Sequence, residues 1–135
     1  MAVGGWIVDK SVGARVDLLG IGTELEALAG LLFVCPVGEL ERGYSARSAA
    51  DYDQVADNLR AAFPRAPAPA DLLDRALALQ RDLAHHQGMW HRIPIADLLI
   101  AETALHNGLG VVHEDRHFER IAEVRPLVTR RLRAD

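Results

Sequence analysis

The stretch Ile93 to Phe118, IPIADLLIAETALHNGLGVVHEDRHF, constrains this chain more than any other. Pro94 suits the first turn of a helix, where its fixed φ and missing N–H are tolerated. The spacing predicts a helix from about Ile95 to His106, stopped by Asn107-Gly108 as a C-terminal cap. Leu109 to Val112 then has the length and apolarity of a short buried strand, followed by the polar run His113-Glu114-Asp115-Arg116. Helical spacing places Asp97 with Ile100, Ala101 and Ala104, while Leu98, Leu99 and Leu105 cover the neighbouring face. A helix so apolar all round is buried, and a carboxylate inside it needs a partner or a metal. The plain alternative is an acid favoured in a first helical turn by the macrodipole. Other acids converging on Asp97 would separate the two.

The flanking chain supplies such acids. Trp6-Ile7-Val8 is a short apolar run ending at Asp9, and Ser11 is placed to cap a following helix. Gly20-Ile21-Gly22 breaks that helix, and Thr23 with Glu26 has the form of a capping box. Leu31 to Cys35 is a second run of strand length, closed by Pro36. The next helix carries Val37, Leu40 and Tyr44 on one face, with Glu39 and Gly43 on another. Ser48 to Phe63 is amphipathic through Tyr52, Val55, Leu59 and Phe63. Pro64 to Pro69 is an extended connection with room for a short edge strand. Ala70 to His86 is a long helix, with Leu72, Leu73, Ala76, Leu79 and Leu83 as its stripe. Arg116 to Ala122 reads as a short helix, Val124 to Val128 as a last edge strand, and Arg130 to Asp135 as a basic tail.

Short apolar strands alternating with helices imply parallel βαβ units. Crossover handedness then places helices on both faces of the sheet. The fold class expected is α/β, a three-layer α/β/α arrangement around a mostly parallel sheet of four to five short strands. In such sheets, sites form beyond the carboxyl ends of the strands. Asp9 follows the first strand directly, and Asp115 follows the Leu109–Val112 strand. Glu39 lies in the first turn of the helix leaving the second strand, and Asp97 heads the helix leading into the Leu109–Val112 strand.

With 135 residues and a net charge of -4, the chain is a single domain, 1–135, whose total charge does not advertise nucleic-acid binding. Lys10 is the only lysine, and one cysteine, Cys35, argues against a disulfide framework. Leu28 to Val37 is too short to cross a membrane, and no signal segment is apparent, so a cytoplasmic protein is expected.

Several carboxylates in one pocket must hold protons or share cations, because charges ~4 Å apart repel by ~4 kcal/mol at an effective dielectric near 20. Oxygen donors without His or Cys select hard ions, Mg²⁺ or Mn²⁺. Such ions activate water and offset charge on a phosphodiester. The residues therefore point to a metal-dependent phosphodiester or phosphate hydrolase, against the alternative of acids that merely solvate loops.

The segments WIVDKS, GELERG and IADLLIAETALHNGLGVVHEDRHFERIA, in that order, resemble the PIN domain, specifically the VapC-type toxins of bacterial toxin–antitoxin pairs. The resemblance spans essentially the whole chain. Its most specific part is the long segment, where Asp97 leads an I-A-x-T-A helix and Asp115 follows eighteen residues later, before F-E-R-I-A. It implies Asp9, Glu39, Asp97 and Asp115 as metal-binding acids, with Ser11 as an auxiliary polar group. Glu41, two residues from Glu39, remains open as its substitute. The resemblance further implies an Mg²⁺-dependent endoribonuclease (Mn²⁺ being an alternative ion), an RNA substrate, a cognate VapB-type antitoxin that occludes the acids, and a homodimer. Lys10, His113 and His117 depart from the family's usual residues, which keeps open a catalytically inactive PIN-like module that binds a partner through its acids. A phosphomonoesterase is the other alternative, but it wants an acid where Ser11 stands.

Three further features have plain readings. His85, His86 and His91 lie close enough in sequence to suggest a metal cluster, but the first two point to different sides of a helix end, where histidine suits the dipole. Glu102 is expected as a buried acid paired with an arginine. Aromatic residues are few, so no base-stacking platform is indicated.

Overall fold

A computed structural model describes residues 3–9, 31–114 and 116–131. The expected helix capped by Ser11, the capping box at Thr23 and Glu26, and Asp115 lie outside the described residues. The strands are β1 (Trp6–Val8), β2 (Leu32–Phe33), β3 (Gly110–His113) and β4 (Thr129–Arg131). The helices are α1 (Pro36–Tyr44), α2 (Ala49–Ala62), α3 (Leu72–His85), α4 (Ile95–His106) and α5 (His117–Ile121). The sheet order is β2-β1-β3-β4, and all three pairings are parallel. Every residue of β3 is buried, as expected of a central parallel strand covered on both faces.

Parallel pairing puts the carboxyl ends of β1 and β3 on one rim. The Asp9 N–H donates to the Val112 carbonyl at 2.9 Å, so the ladder holds Asp9 itself against β3. The helix that leads into β3 is fixed just as firmly. Gly108 takes φ +66, its N–H bonds the Leu105 carbonyl, and the Leu109 N–H reaches back to Ala104 at 2.9 Å. This is the double bond of a Schellman termination, and it turns α4 directly into β3.

The last strand differs from expectation. Val124 to Val128 does not form it; pairing starts where the Val111 N–H reaches the Val128 carbonyl, and β4 runs through Thr129, Arg130 and Arg131. Pro126 has no N–H to give to a ladder, so the strand begins after it. Two of the supposed tail arginines are therefore edge-strand residues, and Arg131 stands 3.5 Å from Glu119. The Pro64–Pro69 connection contributes one parallel bridge, Val34 to Arg65.

The core gathers Leu79 and Leu83 of α3, Leu98, Ile100, Ala101 and Ala104 of α4, Val111, and Phe118 and Ile121 of α5. Glu102 sits among them, 5% exposed, with Arg125 Nε at 3.5 Å; Arg125 also pairs with Asp82 at 2.7 Å. Burial raises the Glu102 carboxyl above its ordinary pKa, opposed by Arg125 and Arg75. The folded state thus holds this proton more tightly than the unfolded chain. Its contribution to stability is complete below the unfolded pKa near 4.5 and is lost as pH rises through the raised value. Urea titrations from pH 4 to 7 should show Glu102→Gln gaining on wild type as pH rises. A difference independent of pH would contradict this assignment.

Candidate functional site

Asp9 and Asp97 are 5% and 7% exposed, among the few charged groups so deeply placed. Asp9 is carried by the end of β1. Asp97 is carried by the first turn of α4, where its N–H meets the Pro94 carbonyl at 3.0 Å. Its side chain is already engaged: His117 Nδ1, at the start of α5, donates to Asp97 Oδ2 at 2.8 Å. The sequence marked His117 only as a departure from the family pattern; the structure makes it the neighbour of an acid.

Helix α1 separates its two acids. Glu41 lies one turn after buried Val37, and both line a groove with Leu40, Tyr44, Ile95, Ala96 and Leu99. Glu41 is thus turned toward the N-terminal turn of α4, the turn that carries Asp97. Arg42 beside it is pulled below its ordinary pKa by burial, and held up by the charges of Asp9 first and Glu41 second. Asp9, Glu41 and Arg42 therefore share one electrostatic neighbourhood. Glu39 has a partner of its own. Arg65 grips it through Nε–Oε2 at 2.6 Å and Nη2–Oε1 at 3.0 Å, a forked pair that raises the arginine's pKa. That pair borders a separate cleft of about 300 Å³ between α1 and α2, with Tyr52, Leu59 and Arg60.

Asp9, Glu41 and Arg42 thus share one neighbourhood, His117 meets Asp97 at the first turn of α4, and Glu39 pairs with Arg65. Asp115 lies outside the described residues, as do Lys10 and Ser11. Among the described residues no three of His, Cys, Asp and Glu stand together as a ready-made metal cage. His86 contacts Glu123 at 3.4 Å and the ring of Trp90, and so serves packing. His113 is fully buried with its ring 5.3 Å from Phe118.

Arg42 and His117 escaped the sequence reading because both are basic residues in ordinary helix positions. Glu41 was within reach of it: a residue four after Val37 shares the core-facing side of α1.

Fold and site together define a class, parallel α/β proteins with buried carboxylates at the carboxyl rim of the sheet. A family model described as the PIN domain matches residues 22–124. Ribonuclease VapC17 of Mycobacterium tuberculosis (strain CDC 1551 / Oshkosh) is 54% identical over 124 residues, 90% of each chain. Ribonuclease VapC21 of the same strain is 36% identical over 121 residues, 88% of this chain and 87% of its own. Among solved structures, VapBC2 from Rickettsia felis, bound to a DNA fragment from its promoter, superposes with a TM-score of 0.75 at 17% identity, over 95% of this chain and 98% of that one. The DNA-bound VapBC from Salmonella typhimurium gives 0.75 at 18%, over 94% and 97%. This chain belongs to the PIN domain family, among its VapC-type members. Among the described residues, no helix is long and apolar enough to cross a membrane.

Proposed function

We propose that this protein is a metal-dependent endoribonuclease, the toxin of a toxin–antitoxin pair, that hydrolyses RNA phosphodiester bonds. The observation that carries the reading is the pair of deeply buried carboxylates, Asp9 and Asp97, at the carboxyl rim of a parallel sheet. The relatives named as VapC ribonucleases support the substrate class.

The donor chemistry fits a hard divalent ion. Carboxylate oxygens gathered in little water repel one another unless a cation is shared. Asp9, Asp97 and Asp115 would hold Mg²⁺ or Mn²⁺, with Glu41 as the fourth acid in place of Glu39. Bound there, the ion supplies Lewis-acid chemistry that activates water and offsets phosphodiester charge. The chain's own groups do the rest. Burial keeps the carboxylates in fixed positions, His117 orients Asp97, and Arg42 balances charge beside Asp9. A basic side chain from a VapB-type antitoxin would occupy the same acids, and a homodimer is the assembly we expect from the family.

The exchange of Glu39 for Glu41 is directly testable. Glu41→Gln should slow RNA cleavage about tenfold or more, because a charge facing the acids is lost, whereas Glu39→Gln should stay within about twofold. The reverse ranking restores Glu39 to the site. The overall reading is tested by incubating purified protein with a defined RNA and Mg²⁺ and mapping the ends. Internal cuts that stop when the antitoxin is added are expected.

The contact of Asp97 with His117 and the charge of Arg42 near Asp9 favour a second reading, a PIN-like module whose acids are neutralised internally and serve a partner. Titration with Mn²⁺ in a calorimeter separates the two, since this reading requires no binding at millimolar ion.

A further inference from the structure

The polar loop between α3 and α4 has no part in the acid site, yet it is built with unusual care. Gly88 takes φ +106 and Met89 φ +53, the only non-glycine residue with positive φ among those described. A left-handed methionine is strained, and such strain persists where the surroundings impose it. Those surroundings are backbone bonds from the Met89 N–H to His86 and from the Trp90 N–H to Leu83, at 2.9 and 3.1 Å. A Cβ at position 88 would fall 2.8 Å from Trp90 Nε1, so glycine there lets the indole lie against the loop. Met89 remains 65% exposed.

The loop sets Trp90 into a cleft of about 120 Å³ lined by Met89, Trp90, Arg92, Ile93, His117 and Arg120. Arg120 Cζ stands 5.2 Å from the indole centroid, a cation–π distance. Among the described residues, no acid is in the lining. His117 belongs both to this cleft and to the 2.8 Å contact with Asp97, so the cleft adjoins the acid rim through one side chain. Its volume is well below the roughly 300–1,000 Å³ of drug-sized ligand pockets, which suits one planar group and not a docked helix. An aromatic wall with two guanidinium groups recognises something flat and anionic.

We propose that this cleft takes one unpaired nucleotide of the RNA strand next to the scissile phosphate, its base against Trp90 and its phosphate on Arg92 and Arg120. The assignment rests on the ribonuclease reading of the adjoining acids. It gives the protein a base-stacking site despite its few aromatics. It also directs the enzyme to loops or single strands, because a paired base cannot reach the indole.

The test measures binding apart from cleavage. A short single-stranded RNA with a 5′ fluorophore is titrated with the full chain in chelator, and anisotropy is read across a salt series. Arg92 is exposed, so Arg92→Ala should leave the fold intact, and Trp90→Phe keeps a ring for packing. Arg92→Ala should weaken binding about tenfold and lower the slope of log affinity on log salt by ~0.7, one phosphate contact on a single strand. Trp90→Phe should abolish the quenching of tryptophan fluorescence by RNA, and Trp90→Ala should lower affinity about tenfold or more. A double-stranded competitor should displace the oligonucleotide poorly. Wild-type affinity and salt slope in Arg92→Ala, with quenching retained in Trp90→Phe, would overturn the proposal. So would variants that lose antitoxin binding while holding RNA normally, since the cleft would then be a protein-docking surface. If the variants lose RNA binding but the wild type never cuts RNA with Mg²⁺, the cleft stands and the ribonuclease reading falls.

Discussion

Asp97→Asn should lower RNA cleavage by at least about 100-fold, in line with the loss of a preorganised electrostatic group in a water-poor site. The substitution is nearly isosteric, and an asparagine oxygen can still accept from His117 Nδ1, now 2.8 Å from the carboxylate. What disappears is the negative charge at a position 7% exposed to solvent. The fold should not suffer. Asp97 is in the first turn of α4, where its charge contributes only ~0.3–1 kcal/mol through the helix dipole. Removing a charge from so buried a position also removes the cost of keeping it out of water. Melting monitored by circular dichroism should therefore shift by a few degrees at most while the cleavage rate collapses. Asp9→Asn should behave alike, because Asp9 is equally buried and its backbone is already tied to β3. Cleavage within a fewfold of wild type in both variants would remove these acids from the site.

Phe118→Ala should destabilise the protein by ~3–5 kcal/mol, the usual range for a phenylalanine deleted from a packed core. Against a typical total of ~5–15 kcal/mol, this leaves a marginal fold. Phe118 is fully buried, packs its ring 5.3 Å from that of His113, and with Ile121 anchors α5 to the core. A helix of 5 residues cannot persist by its own hydrogen bonds, so its position depends on those anchors. His117, the partner of Asp97, is the residue before Phe118. Loss of the anchor should thus damage the site as well as the core. Urea unfolding should show a large drop in midpoint for Phe118→Ala, with Phe118→Leu recovering much of it. A near-wild-type midpoint for the alanine variant would mean that α5 is held by something other than its apolar face.

The stretch from Ile93 to Phe118 was legible in advance because its signals are local. Pro94, the apolar helix, the Asn107-Gly108 stop and the buried Leu109–Val112 run each act within a few residues, and the structure has them in place. The parallel sheet followed from alternation of strands with helices, and its carboxyl rim located Asp9. The last strand was misplaced because Val124 to Val128 is apolar enough to pass for a strand, while its pairing depends on β3, distant in sequence. The family motif matches Glu39 and leaves Glu41 open beside it, and Arg65, twenty-six residues away, holds Glu39 in an ion pair. No pattern within α1 could announce that partner. His117 with Asp97, and Arg120 over Trp90, likewise arise from the packing of α5 against α4 and the loop before it. Such contacts between elements are set by tertiary structure and leave no periodic trace.

The proposed role of Asp9, Glu41, Asp97 and Asp115, holding a divalent ion with which this chain cuts RNA, is tested most directly by one reconstitution. Purified protein, stripped with chelator and dialysed, is given a defined RNA, then Mg²⁺, then excess chelator, with Asp97→Asn run in parallel to expose any contaminating nuclease. The account predicts no cutting by stripped protein, internal cuts on addition of Mg²⁺, arrest by chelator, and an inactive variant throughout. Cleavage that persists in chelator, or that Asp97→Asn performs as well as wild type, would contradict it.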